Sequence, residues 1–191
     1  MSDLKSKTYN LKPNLGFTLV ETLVAISILS ISIAATFTAV QNGIQNSTIA
    51  KDQTTAFYLA QEAMEFIKNK RDENALHSIY EQPTPTTKWL TGLSDLATDP
   101  CYFGKTCRID SPAQTIVYCG VAFNTCPRLK QDPNTGLFGY TSGWTDTIFR
   151  RGIQFTEVVA NREVRVTIEM NWTSRWGEKS FQVTETLFNR Q

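Results

Sequence analysis

Histidine is almost absent from this chain, and charge and proline are absent from long stretches of it. A single histidine (His77) and four cysteines in 191 residues leave little with which to build a metal centre or an imidazole-based catalytic site. Charged residues are 19% of the chain against 41% hydrophobic, which excludes intrinsic disorder as the overall state and a multi-span membrane protein alike. The 19 Lys and Arg nearly balance the 18 Asp and Glu, so bulk positive charge holds no nucleic acid here. There is no P-loop, no G-x-S-x-G and no H-E-x-x-H. These absences predict no enzyme, no cofactor and no metal. The length suits one globular head with an appendage.

The longest absence is local. From Phe17 to Val40 the only charge is Glu21, and from Thr22 to Ala50 there is none; no proline falls between Gly16 and Pro83. An uncharged apolar run of about 20 residues, at 1.5 Å rise per residue, spans a bilayer core. Six of the nineteen residues from Thr22 to Val40 are Ser or Thr, whose hydroxyls can bond back to the helix or across to neighbouring helices. Ahead of the run, MSDLKSKTYNLKPNLG carries Lys5, Lys7 and Lys12 against Asp3. Positive charge stays cytoplasmic, so the residues after Val40 are expected outside.

The run is too long for an ordinary signal-peptide h-region, and no A-x-A site follows it. A permanent single-span anchor is the plainer reading, but Glu21 opposes it. A carboxylate near the start of an uninterrupted membrane helix costs a few kcal/mol unless a cation neutralises it, and the apolar stretch holds none. Cutting after Gly16 would create one: the new amine of Phe17 would stand four residues, about one turn, from Glu21.

Gly16-Phe17-Thr18-Leu19-Val20-Glu21, followed by TLVAISIL and preceded by a basic leader, resembles the class III signal of type IV prepilins and type II secretion pseudopilins. AFYLAQEAMEFIKNKRDEN, residues 56–74, resembles more loosely the pilin-like proteins of candidate phyla radiation bacteria. The resemblance covers residues 1 to about 75. It implies a prepilin peptidase and methyltransferase that cuts between Gly16 and Phe17 and N-methylates Phe17, with Glu21 meeting a neighbouring subunit's amino terminus during assembly. It further implies as partners membrane lipid before assembly, an inner-membrane assembly platform, and other pilin subunits in a helical filament. The location would be a single pass of the inner membrane with the head outside, then an extracellular fimbrium or a periplasmic pseudopilus.

The pattern continues past Val40. Phe57, Ala60, Met64 and Ile67 recur at helical spacing with Leu59, Ala63 and Phe66 beside them, while Glu62, Glu65, Lys68, Lys70 and Arg71 take the other side. This predicts one helix from about Thr18 to Asn74, apolar all round and then striped, with Gly43 beside Asn42 and Asn46 as its weak point. Pro83 and Pro85 end the register. The domains expected are a leader at 1–16, a transmembrane and assembly segment at 17–50, an amphipathic segment at 51–80 and a globular head at 81–191.

The head is α+β with the helix: a pilin-like antiparallel β meander packed on the helical stripe. TIVYCGVAF (115–123) reads as a strand within a turn-rich region. From Ile148 on, three strands follow, Ile148 to Val158, a middle one with Val164, Val166, Ile168, Met170 and Trp172 on one face, and Ser180 to Phe188, with turns near Asn161 and Gly177. Glu185 interrupts the inward set Phe181, Val183 and Leu187, which predicts a bulge or an edge.

Cys101, Cys107, Cys119 and Cys126 fall in the turn-rich region on the expected outer side, where disulfides persist. Of the three connectivities, sequence proximity favours 101–107 with 119–126. Zinc is the rival, but C-x5-C and C-x6-C lack a short clamp. Asp95, Asp99 and Asp110 are candidates for a calcium site without EF-hand spacing, and solvated loop acids are the plainer reading. Lys68, Lys70 and Arg71 offer bases to DNA, though three on a helix usually form a solvated end. Three functions compete: a pilin-like filament subunit; a membrane-anchored binding or adhesion module, cleaved or uncleaved; and an anchored enzyme, which the missing catalytic residues disfavour.

Overall fold

The computed structural model describes residues 16–189 apart from 83, 85 and 176; the leader up to residue 15 and the helix-ending role of Pro83 and Pro85 lie outside the described residues. The chain divides between Thr48 and Ile49 into two units. One long helix, α1 (Leu19–Tyr80), is followed by seven strands: β1 (Thr106–Asp110), β2 (Thr115–Gly120), β3 (Arg128–Gln131), β4 (Phe138–Gly139), β5 (Thr145–Val159), β6 (Glu163–Ser174) and β7 (Gly177–Phe188). A 3₁₀ turn, Phe123–Thr125, separates β2 from β3.

In the first unit the residues of α1 are apolar on every side, and none is buried. It is long and apolar enough to cross a membrane. All six hydroxyls between Thr22 and Val40 bond back to the helix: Thr22 and Thr36 reach i−3 carbonyls, while Ser27, Ser30, Ser32 and Thr38 reach i−4 carbonyls at 2.8–2.9 Å. The polar atoms of the run are thereby satisfied within one helix, which is what a hydrocarbon surrounding demands. Gly43 does not interrupt the helix.

In the second unit the helix has a buried stripe of Ala56, Leu59, Ala60, Ala63, Met64 and Ile67. Three of the six are alanine, which lets the helix backbone come close to the sheet. Phe57, expected in the stripe, is instead 53% exposed. The 56-60-63-67 row is centred one position earlier than the predicted one, and Phe57 packs edge-on against the equally exposed Tyr58 at 6.2 Å. The helix also outlasts Asn74, because the stripe continues through buried Asn74 and Ser78. The Asn74 amide donates to the carbonyls of Trp89 and Thr91 at 3.2 and 2.9 Å, tying the last turns to a loop that buries Trp89, Leu90 and Leu93.

The sheet is entirely antiparallel, with β5 at its centre. One edge of β5 pairs with β6, and β6 pairs in unbroken register with β7, from Glu163 opposite Phe188 to Ser174 opposite Gly177. The other edge of β5 is shared: Ile153 and Gln154 meet β1, and Thr145 to Arg150 meet β3. Val164, Val166, Ile168, Met170 and Trp172 are buried as a set. Phe138, Phe149, Trp172 and Phe181 continue the core as a row of rings across β4 to β7, with centroids 6.0–6.4 Å apart. The turns at Asn161 (φ 58) and Gly177 (φ 108) close the two hairpins.

One strand prediction needs correction, and one strand was not anticipated. The strand expected over 115–123 stops at Gly120, whose φ of 141 turns the chain and where Thr125 leaves no room for a Cβ (2.6 Å to Oγ1). Its partner β1, TCRID, alternates too irregularly to be read as a strand. It is buried at four of five positions because the sheet and its covering loops enclose both faces. At Glu185 the edge is realised rather than the bulge: β7 pairs only with β6, and Glu185 faces α1, where Lys68 donates to it at 2.9 Å.

Candidate processing and assembly site

Gly16 and Phe17 precede the helix in irregular backbone, and Phe17 is 80% exposed. Thr18 is the N-cap. Its hydroxyl accepts the Glu21 N–H at 3.3 Å and its carbonyl accepts the Thr22 N–H at 3.2 Å. Thr18-Leu19-Val20-Glu21 has the T-x-x-E spacing of a capping box, of which the Thr18 half is formed, and Glu21 is the one acid in the first turn, at the positive end of the helix dipole. The Thr18 cap was legible in the residues as a Thr three places ahead of a Glu. Because the cap sits at Thr18, Phe17 lies outside the helix. Among the described residues Glu21 has no ion-pair partner. Among the described residues nothing lies within 4 Å of where a Gly16 Cβ would stand, so their packing does not require glycine there.

The other candidates are scattered. Cys101 is bridged to Cys107 and Cys119 to Cys126, and no cysteine is free. Lys68, Lys70 and Arg71 are paired with Glu185, Glu73 and Asp72, so the bases offered to DNA are locally neutralised. Lys68 is not on the side away from the sheet, as the helical pattern suggested, but at the border; the hydrogen bond to Glu185 raises its pKa, burial opposing. His77 is exposed in the last turn of α1.

The three aspartates are more than solvated loop acids. Asp95 pairs with Lys88 at 3.1 Å, and Asp99 accepts the backbone N–H groups of Asp95 and Leu96. Asp110 is buried, accepting from the backbone of Ala113 and Tyr140 at 3.3 and 3.0 Å. Gly139 is needed beside it, since a Cβ there would stand 2.8 Å from Asp110 Oδ1.

One residue of the head was missed. Arg151 is fully buried (0% exposed) between α1 and the sheet, donating to the Leu59 carbonyl at 2.5 Å and the Ile109 carbonyl at 2.7 Å, with Glu62 at 3.8 Å. Its signal was parity: on β5 it shares the inward register of Phe149, Ile153 and Phe155.

The family model of the prokaryotic N-terminal methylation motif matches residues 11–37. That motif supports a likeness to the type IV pilin and pseudopilin family over this N-terminal stretch. The match takes in Gly16, Phe17 and Glu21, and with the apolar helix it fits membrane anchoring of a pilin. No curated protein and no solved structure matches the chain.

Proposed function

We propose that this chain is a pilin-like subunit, cut after Gly16, N-methylated at Phe17 and drawn from the membrane into an extracytoplasmic filament by its apolar helix. One observation carries the reading: a single carboxylate, Glu21, stands in the first turn of a helix that is otherwise uncharged as far as Ala50, four residues beyond a Gly-Phe bond within the methylation motif. Hydrolysis of that bond leaves Gly16 with the carboxylate and Phe17 with a cationic amine; methylation keeps the positive charge. Free of the leader, the amine can reach the Glu21 of a subunit already in the filament, relieving the cost of two charges at the edge of hydrocarbon. Hydroxyls already bonded within their own helix leave packing and this one pairing to join neighbouring helices.

Mass spectrometry of the mature protein tests the reading. The expected N-terminus is N-methyl-Phe17, and Gly16→Val should accumulate precursor, because a side chain at that position obstructs the peptidase. A mature mass that still includes Met1 to Gly16 would overturn it and leave the anchored binding module, which the polar groove described next would serve.

A further inference from the structure

The outer face of the sheet, turned away from α1, carries a cavity of about 480 Å³ beneath the 3₁₀ turn that follows β2. Its volume falls within the range of small-molecule sites. Arg128 of β3 and Arg150 of β5 are direct cross-strand partners and both line it. Like charges directly opposite each other destabilise a sheet, so the pair is an expense the fold does not need. Arg150 donates to the Asn124 carbonyl of the turn, which fixes one guanidinium; the Arg128 side chain makes no hydrogen bond or ion pair among the described residues.

The facing wall is acidic. Next to Arg150 across the ladder stands Asn171, and two residues from it Glu169. The Glu169 carboxylate is held by Asn171 at 2.8 Å and Gln182 at 2.6 Å, one amide to each oxygen, with lone pairs left over for further donors. Glu178 lines the same cavity, yet among the described residues no ion pair joins either arginine to either carboxylate. A dianion would meet the two carboxylates and a simple cation the two arginines. The groups that fit are one anionic group for the guanidinium pair and several hydroxyls to donate to Glu169 and accept from the amides. Phe123 and Ile148 supply apolar surface beside them.

We propose that this groove binds a monoanionic, polyhydroxylated small molecule, a sugar acid, with its carboxylate on Arg128 and Arg150 and its hydroxyls on Glu169 and Asn171. The site lies wholly within the head and does not depend on the filament reading.

The test titrates the detergent-solubilised full chain with D-glucuronate, following saturation-transfer NMR signals of the sugar. Saturable binding is expected, with D-glucose and acetate each at least about tenfold weaker, as befits loss of a charge-assisted hydrogen-bonding group. Arg128→Gln breaks no hydrogen bond within the described protein, so it should fold and still weaken D-glucuronate by about tenfold or more. Arg150→Lys and Glu169→Gln should weaken it by smaller factors. Acetate binding as well as D-glucuronate would reduce the site to a simple anion contact; glycine binding better would make it a zwitterion site. Affinity unchanged in Arg128→Gln, or no saturation at all, would overturn the proposal outright.

Discussion

Glu21 and Arg151 are both lone charges in apolar company, and the chain treats them in opposite ways. Arg151 is enclosed by its own protein: a helix carbonyl, a strand carbonyl and Glu62 surround a fully buried guanidinium. The Glu21 carboxylate has only the dipole of its own first turn, and no cation among the described residues. A charge enclosed by its own chain, here with only its Nε–H left without a partner among the described residues, is an element of the fold, because its desolvation is largely offset wherever the chain folds. On the proposed reading, the charge that the described chain leaves without a counter-ion is completed by another subunit. Variants at the two positions test whether that difference separates a structural residue from an assembly residue.

The largest expected effect is at Glu21. Glu21→Ala should insert and be cut after Gly16, yet enter filaments about tenfold less or worse, consistent with about 1–3 kcal/mol for relieving a carboxylate in the bilayer. Glu21→Gln, which keeps size and loses charge, should match it. Comparing subunit in sheared and membrane fractions checks both; normal incorporation would place Glu21 with Arg151 as a residue of local structure only.

Arg151 should behave in the reverse manner. Arg151→Met is expected to leave cutting at Gly16 intact while destabilising the head by about 2–3 kcal/mol, since the Ile109 carbonyl loses a charged donor in the interior. Thermal unfolding of the solubilised protein should fall by several degrees, whereas Glu21→Ala should not move it. An unshifted transition for Arg151→Met would show that the enclosed charge is dispensable and blur the contrast.

Lys68 and Glu185 lie between the extremes, a pair closed within the chain but half open to water. Glu185→Gln should cost no more than about 1 kcal/mol, and the loss should shrink in high salt. A larger, salt-independent cost would mean that the pair behaves as a buried one.

The smallest effect is local and compares Glu21 with a carboxylate at the far end of the same helix. Glu81 accepts the backbone N–H groups of Thr86 and Thr87 and both their hydroxyls. The Thr87 N–H bond leads in lowering its pKa, from 4.5 to about 2. The depressed value means that the ionised form holds the turn: its contribution is complete above pH 4.5 and fades as pH falls toward about 2. Amide-exchange protection at Thr86 and Thr87 should follow that window, and Glu81→Gln should flatten it. Protection that ignores pH in the native chain would show that the carboxylate does not hold the turn.

What could be read beforehand follows from how local each interaction is. An apolar run, a capped first turn and strict alternation along β6 are written in neighbouring residues, so α1, the closing hairpins and the Gly16-Phe17-Glu21 signal were legible in one dimension. The amino-acid sequence by itself determined a single apolar helix with one acid near its start, because length, charge and periodicity need no partner to have meaning. Only the tertiary structure decided the rest. It placed the helix stripe one position from the obvious aromatic, because alanines allow the closer approach to the sheet. It buried β1 under loops from elsewhere in the chain, drew Arg151 inward to carbonyls 92 and 42 residues away, and set Arg128 beside Arg150 across a ladder. Those choices depend on which distant backbone groups need a donor and which surfaces come together, and no local pattern of residues encodes that.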